Sequence, residues 1–412
     1  MLYDRWREVV LEFSSECALC DLATKQAWTF KQLDALAECG TTERVVFPQG
    51  AAVDFVVAVL KGWKSDAVVC PLEPDQKPPT ISSLPKGIAH VKVTSATTGP
   101  ARLVALTGAQ LAADARNIVS TMGLRREWPN LGVISLAHSY GFSNLVTPLL
   151  LHGIPLAVAG SPLPENVRLA LQEIGPVTLA GVPALWRAWF EAGSLSAKVE
   201  LAISAGAPLP LELERQIYET ARIKVHNFYG SSECGGIAYD RSTSPRSDGA
   251  CVGTAMDNVN LDVGLDGCLE VRSEAVAETY WPESDDRLAN GCFRTSDLAE
   301  IRDGAVFLCG RASDIINVAG RKVAPEAIEA VLAKHAGVRH CLVFGVAEAD
   351  RDKIVACVTA EAGTSADDLK AFMLDRLPAW QVPREFWFVA GLSPDQRGKL
   401  SRAVWRKKYL AR

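Results

Sequence analysis

Between residues 130 and 230 one pattern repeats: a short β-branched or apolar run, then a segment long enough for a helix. The runs are 132–137, 154–159, 177–182, 201–204 and 223–228, and in the intervening segment 209–221 the residues Leu213, Ile217 and Tyr218 fall on one helical face. Strands separated by helices cannot pair as tight hairpins. They build a parallel sheet covered by helices, and ligands in such sheets bind in the loops beyond the carboxyl ends of the strands.

The texture changes near residue 250. The segments VGLDGCLEV (263–271) and ANGCFRTSDLAEIRDGAVFLCGR (289–311) alternate strand-like runs with Asp-Gly and Asn-Gly, which predicts antiparallel hairpins. Beyond 311 the chain reads as a small α+β unit, with helices at 325–335 and 366–376 and strands at 339–346 and 354–360. The expected fold is α/β: a large N-terminal domain (1–310) with parallel sheets, helices and a β-rich subdomain, then a small mobile α+β domain (311–412). The Pro-rich stretch 71–85 reads as a loop, and no internal repeat is visible.

A formal net charge of −5, with both signs interspersed over 412 residues, argues against nucleic acid or an anionic membrane surface as partner. The eleven cysteines are scattered, which fits reduced thiols in a cytoplasmic protein. Cys17 and Cys20 form a CxxC without a second pair at zinc-ribbon distance, so metal is not expected there. The N-terminal MLYDRWREVVLEF lacks the unbroken apolar core of a signal peptide. Residues 131–164 carry no Asp, Glu, Lys or Arg, but Pro148, Gly153, Pro155 and Gly160 divide them into pieces too short to span a bilayer, so buried helix and strand are expected.

Four constellations carry chemistry. VTSATTGPAR (93–102) offers hydroxyls, a glycine for close backbone approach and a fixed cation, as a polyphosphate cradle would; a helix-capping turn reads the same way. NFYGSSECGG (227–236) follows a strand and sets Tyr229, which could stack on a base, beside Ser231 and Ser232 for phosphate oxygens and Glu233 for Mg²⁺. Asp297 and Arg311 bracket a hairpin, either as an exposed ion pair or as an acid for ribose hydroxyls with a cation beside it. The tail RGKLSR (397–402) presents Lys399 after Gly398. No GxxxxGK[ST] occurs, which sets aside a kinase-like phosphate loop.

In this order the four motifs resemble the AMP-forming adenylating superfamily of acyl- and aryl-CoA synthetases, nonribosomal-peptide adenylation domains and luciferases. The similarity runs from about Trp28 to Arg402. It implies that Thr94, Ser95, Thr97, Thr98, Gly99 and Arg102 form the loop around the β- and γ-phosphates of ATP. It further implies that Tyr229 and Gly230 pack near adenine beside the Gly206 and Ala207 turn, that Ser231 and Ser232 meet the α-phosphate, and that Glu233 ligates Mg²⁺. Asp297 would bind the ribose with Arg311 beside it, and Lys399 would bridge carboxylate and α-phosphate as they combine. His138, Phe142, Ala205, Gly235 and Gly236 would line the acyl pocket, with His138 open equally to a purely structural role. Gly320 would border the path of a pantetheine arm, and Ser313 would be the hinge between two domain orientations.

The implied activity is adenylation of a carboxylic acid followed by transfer to coenzyme A; a carrier-protein phosphopantetheine presents the same thiol arm and remains open. A nucleotide-binding protein without turnover is the reading from another class. Lys399 and Glu233 argue against it, since a binder needs no group useful mainly in a transition state. The sequence departs from the family at Ala96 and Leu103, which replace glycines, at Arg102, which replaces lysine, and at Ser313, where Asp or Lys is usual. The segments 138–142, 205–207 and 235–237 contain no lysine or arginine, so an uncharged aryl or medium acyl body is expected.

Overall fold

A computed structural model of the chain describes residues 1–81, 83–94, 102–348, 351–392 and 401–412. The five runs of the repeating region become the strands Asn130–Gly132, Leu156–Val158, Val177–Gly181, Val199–Ser204 and Val225–Ser231, and their mutual pairings are all parallel. The first meets its sequence run, 132–137, at Gly132 alone. After Gly132 the chain leaves the sheet, and the helical turn Ser139–Gly141 and a π-helical turn, Phe142–Val146, fold back on the irregular 133–138. A Cβ at Gly141 would lie 1.9 Å from the Ser135 carbonyl oxygen, so this return needs glycine. Within the charge-free stretch 131–164 the helices and strands are largely buried, whereas 133–138 is irregular with Ser135 and His138 exposed, and no helix among the described residues is long and apolar enough to cross a membrane.

The strand Val225–Ser231 is the seam of the large sheet. One side runs parallel to Val199–Ser204; the other runs antiparallel to Gly235–Tyr239, and the sheet continues through the hairpin-rich region as expected. Asn290 and Gly291 (φ +52° and +69°) turn Leu288–Ala289 into Cys292–Arg302, and Asp303 and Gly304 (φ +50° and +78°) turn that strand into Ala305–Arg311. Two successive left-handed residues match the twist of the flanking strands, which is why Asn-Gly and Asp-Gly mark these hairpins.

A second, mixed sheet runs in the order Thr279–Trp281, Leu103–Thr107, Ile88–Val93, Val68–Val69, Val45–Val46. Helix Gly108–Met122 joins the sheets, touching Gly235–Tyr239 on one side and Ile88–Val93 and Leu103–Thr107 on the other. Thr107 and Gln110 cap its start reciprocally and left-handed Gly123 ends it. Leu111, Ala115, Ile118 and Met122 form its apolar stripe, yet Asp114 is buried on the same side.

The smaller C-terminal domain has its own core of Ile316, Ile328, Leu332, Val343, Val358, Leu369 and Met373. Helices Pro325–Leu332 and Ala366–Leu374 and the antiparallel strands Val338–Glu348 and Arg351–Ala360 follow the sequence reading. The strand Glu385–Phe388, parallel to Arg351–Ala360, and the last helix, Arg402–Leu410, were not legible, because four residues without alternation and a strongly charged nonapeptide carry no period. The architecture is thus α/β, a large N-terminal domain with mixed sheets followed by a smaller C-terminal domain.

Candidate active site

The register of the second hairpin places Asp297 directly opposite Arg311, whose Nε donates to Asp297 Oδ1 at 3.0 Å. From the seam strand the Tyr229 hydroxyl donates to Asp297 Oδ2 at 2.5 Å. Burial first, then the Asp297 charge, pushes the Tyr229 phenol well above its ordinary range, so it stays a donor at neutral pH. Sixty-eight residues apart in sequence, an aromatic ring and a half-buried carboxylate thus form one surface, with the Arg311 cation at its edge.

The turn after the seam strand carries the second group. Ser232 Oγ lies 2.8 Å from Ser139 Oγ, and the Glu233 backbone N–H donates to Ser231 Oγ at 3.3 Å. Glu233 Oε1 accepts from the Tyr280 hydroxyl at 2.9 Å, while Oε2 has no hydrogen bond among the described residues. The Arg102 guanidinium lies over the Tyr280 ring, 5.5 Å from its centroid, and Nη1 meets Asp285 Oδ2 at 3.1 Å. Arg287 foremost, with Arg102, holds the Asp285 carboxyl well below the usual range. Arg102, Tyr280 and Glu233 therefore form a continuous path from the 93–102 loop to the seam turn.

Thr94 closes that loop at its base, its N–H and hydroxyl both donating to the Arg102 carbonyl, at 2.9 and 2.8 Å. Ser95, Thr97, Thr98 and Gly99 lie outside the described residues, as does Lys399.

Among the residues expected to line an acyl pocket, exposed His138 caps the 139–141 helical turn, its Nδ1 accepting from the Tyr140 N–H at 3.4 Å. Phe142 is buried, its ring centroid 4.4 Å from that of His90 and 6.4 Å from that of Phe55. Ala205 is buried at the end of its strand, followed by exposed Gly206 with φ +85° and half-buried Ala207. Gly235 has φ +68°, and a Cβ there would stand 2.0 Å from Asp114 Oδ1. Asp114, which the motif reading missed, accepts from the Gly236 N–H at 3.1 Å and from the Ser143 hydroxyl at 2.7 Å. One buried carboxylate therefore ties the seam turn to the π-helical turn. Its signal was present: an aspartate three residues after Leu111 on an otherwise apolar helical face.

Ser313 lies exposed in the short 3₁₀ turn Ala312–Asp314. Gly320, φ +83°, sits in the turn of the hairpin Ile316–Val318 and Arg321–Val323, its N–H on Asn317 Oδ1. No hydrogen bond or ion pair among the described residues joins that hairpin to the 229–233 segment. Arg402, just past Lys399, pairs with Asp314 at 3.0 Å and with Glu326 and Glu329 at 2.7 Å each, anchoring the last helix beside the 3₁₀ turn.

Residues 56–281 match the family described as AMP-binding enzyme, and 327–399 match the AMP-binding enzyme C-terminal domain. The chain belongs to the AMP-binding enzyme family, that is, to the AMP-forming adenylating superfamily. It is 30% identical over 344 residues, 78% of this chain and 85% of the relative, to the "Probable 2-succinylbenzoate--CoA ligase" of Mycobacterium tuberculosis. Among solved structures, ATP-bound MatB from Rhodopseudomonas palustris superposes with a TM-score of 0.85 at 19% identity, over 99% of both chains. The o-succinylbenzoate CoA synthetase of Bacillus subtilis, in complex with its acyl-adenylate, gives 0.81 at 18% identity over 97% of this chain and 96% of that one. At such identities the two structures speak for the fold alone.

Proposed function

We propose that this chain is an AMP-forming acid–thiol ligase that adenylates a carboxylic acid with ATP and passes the acyl group to coenzyme A. The observation that carries the proposal is the convergence of Tyr229, Asp297 and Glu233 at the sheet seam, reached by Arg102 from the phosphate-loop base through Tyr280. Asp297 accepts the ribose hydroxyls with Arg311 beside it, Tyr229 packs against adenine near Gly206 and Ala207, and Ser232 meets the α-phosphate. Ser95, Thr97, Thr98 and Arg102 hold the β- and γ-phosphates. The uncommitted Glu233 oxygen suits Mg²⁺, which takes one or two carboxylates plus substrate phosphates and would supply charge neutralisation there.

In the first step a carboxylate oxygen bonds to the α-phosphorus and the bond to pyrophosphate breaks. Lys399 neutralises the oxygens that crowd together, an effect of about 3–4 kcal/mol for one preorganised donor. In the second step a thiol sulfur bonds to the acyl carbon, AMP leaves and the thiol proton passes to solvent. Coenzyme A is the acceptor that the name of the M. tuberculosis relative supports. We place the domain division at 310–314, with 1–310 binding nucleotide and acid and 311–412 carrying Lys399. Ser313 then acts as the hinge between the two half-reactions, and Gly320 borders the thiol path in the second.

Acid-dependent ATP–pyrophosphate exchange tests this. Exchange requires Mg²⁺ and an acid; Lys399→Ala loses it by about 100- to 1,000-fold, yet still converts preformed acyl-adenylate to thioester. Equal loss of both half-reactions would defeat the assignment of Lys399, and nucleotide binding without exchange for any acid would defeat the activity.

A further inference from the structure

Of the buried side-chain polar atoms that lack a partner among the described residues, three belong to the strand Ile88–Val93: both ring nitrogens of His90 and the Nζ of Lys92. Buried polar groups are nearly always hydrogen-bonded, and an ammonium taken from water without a counter-ion is among the costliest things a fold can contain. His90 is fully buried and Lys92 only 4% exposed. Burial, then the Lys92 charge, keeps the imidazole neutral. A folding role explains neither, since leucine or valine would fill the strand at lower cost.

Placement supplies the reason. His90 and Lys92 are two apart on one strand and so face the same side, which the tilted ring contact of His90 with Phe142, 4.4 Å between centroids, fixes as the side of the 138–146 helical segment. Lys92 lies one pair nearer the phosphate loop, and its charge reaches the Cys234 thiol between Glu233 and Gly235. Asp114 also reaches that thiol, but its oxygens are held by Ser143 and the Gly236 N–H, and no ion pair joins it to Lys92. Lys92 thus faces the side of the 138–146 segment, within electrostatic reach of Cys234, and 138–142 and the adjoining 235–237 are the segments assigned above to the acid. It comes from a strand that a count of those segments for cations does not include.

We infer that Lys92 determines acid specificity: its buried ammonium, with His90 beside it, receives a second anionic group, so the preferred substrates are dicarboxylic acids, one carboxylate being adenylated and the other held by Lys92. This rests on the proposed adenylation and replaces the expectation of an uncharged acid.

The test compares matched acids in pyrophosphate exchange: butyrate, hexanoate and benzoate against succinate, adipate and phthalate, with the wild type and Lys92→Met. The wild type favours at least one diacid over its partner by tenfold or more in kcat/KM. Lys92→Met lowers that diacid by about 100-fold and raises the matched monoacid, while Lys92→Arg keeps the order. Equal use of both classes by the wild type overturns the inference, as does a rise in the KM for ATP shared by every acid, which would assign the ammonium to the nucleotide. Calorimetric binding of the same acids separates the two layers: no exchange with any acid defeats the adenylation reading, whereas diacid binding unaltered in Lys92→Met defeats the role of Lys92 even where exchange proceeds.

Discussion

Two buried lysines of this chain stand in opposite circumstances. The Lys224 ammonium, its side chain 8% exposed, lies 2.6 Å from Glu214 and 2.5 Å from Asp240, and Arg246 completes the cluster at 2.9 Å from Glu214. Burial pushes Asp240 upward, but its hydrogen bonds to Lys224 and Ser242 outweigh that and hold it below the usual carboxylate range. This network ties helix Leu211–Ala221 to the seam strand and to 240–246, and every charge in it is answered within the protein. Lys92 is more deeply buried and answered by nothing among the described residues. A cation whose partners are built in holds the fold together; one left without a partner is a cost that a ligand can remove.

Four measurements press on that contrast. Lys224→Met should be the most damaging, about 3–5 kcal/mol in chemical denaturation, because Glu214 and Asp240 are left buried with too little positive charge. Asp114→Ala strands the Gly236 N–H and the Ser143 hydroxyl, and should cost about 1–3 kcal/mol together with raised KM values for the acid. Third is acid sensitivity. His90 titrates lower folded than unfolded, so the unfolded chain binds more protons below pH 6.5; the stability due to neutral His90 is complete above that pH and lost as pH falls through the folded value. His152, pushed down to about 4 chiefly by burial, adds to the same slope between 6.5 and 4. His90→Phe should therefore flatten stability against pH on the acid side without erasing the slope. Smallest is Lys92→Met, expected to stabilise the protein by about 1 kcal/mol. A loss approaching that of Lys224→Met would show that Lys92 is also structural and dissolve the comparison.

The sequence determined by itself the features that repeat along the chain or bend it locally. Four of the five β-branched runs coincide with parallel strands of the large sheet, and the first touches its strand only at Gly132. Asn290-Gly291 and Asp303-Gly304 gave the hairpins, and the motif order named the family and picked out Tyr229, Glu233, Asp297 and Arg311. Only the tertiary structure decided what those residues touch: that Tyr229 donates to Asp297, that Tyr280 of the second sheet holds Glu233, and that Asp114 ties two turns together. It also decided that Lys92 faces inward without a counter-ion among the described residues. The reason is physical. Periodicity and turn chemistry are properties of neighbours in sequence, whereas the cost of a buried charge depends on groups brought near by folding, and a lysine in a β-run reads the same whether or not anything answers it.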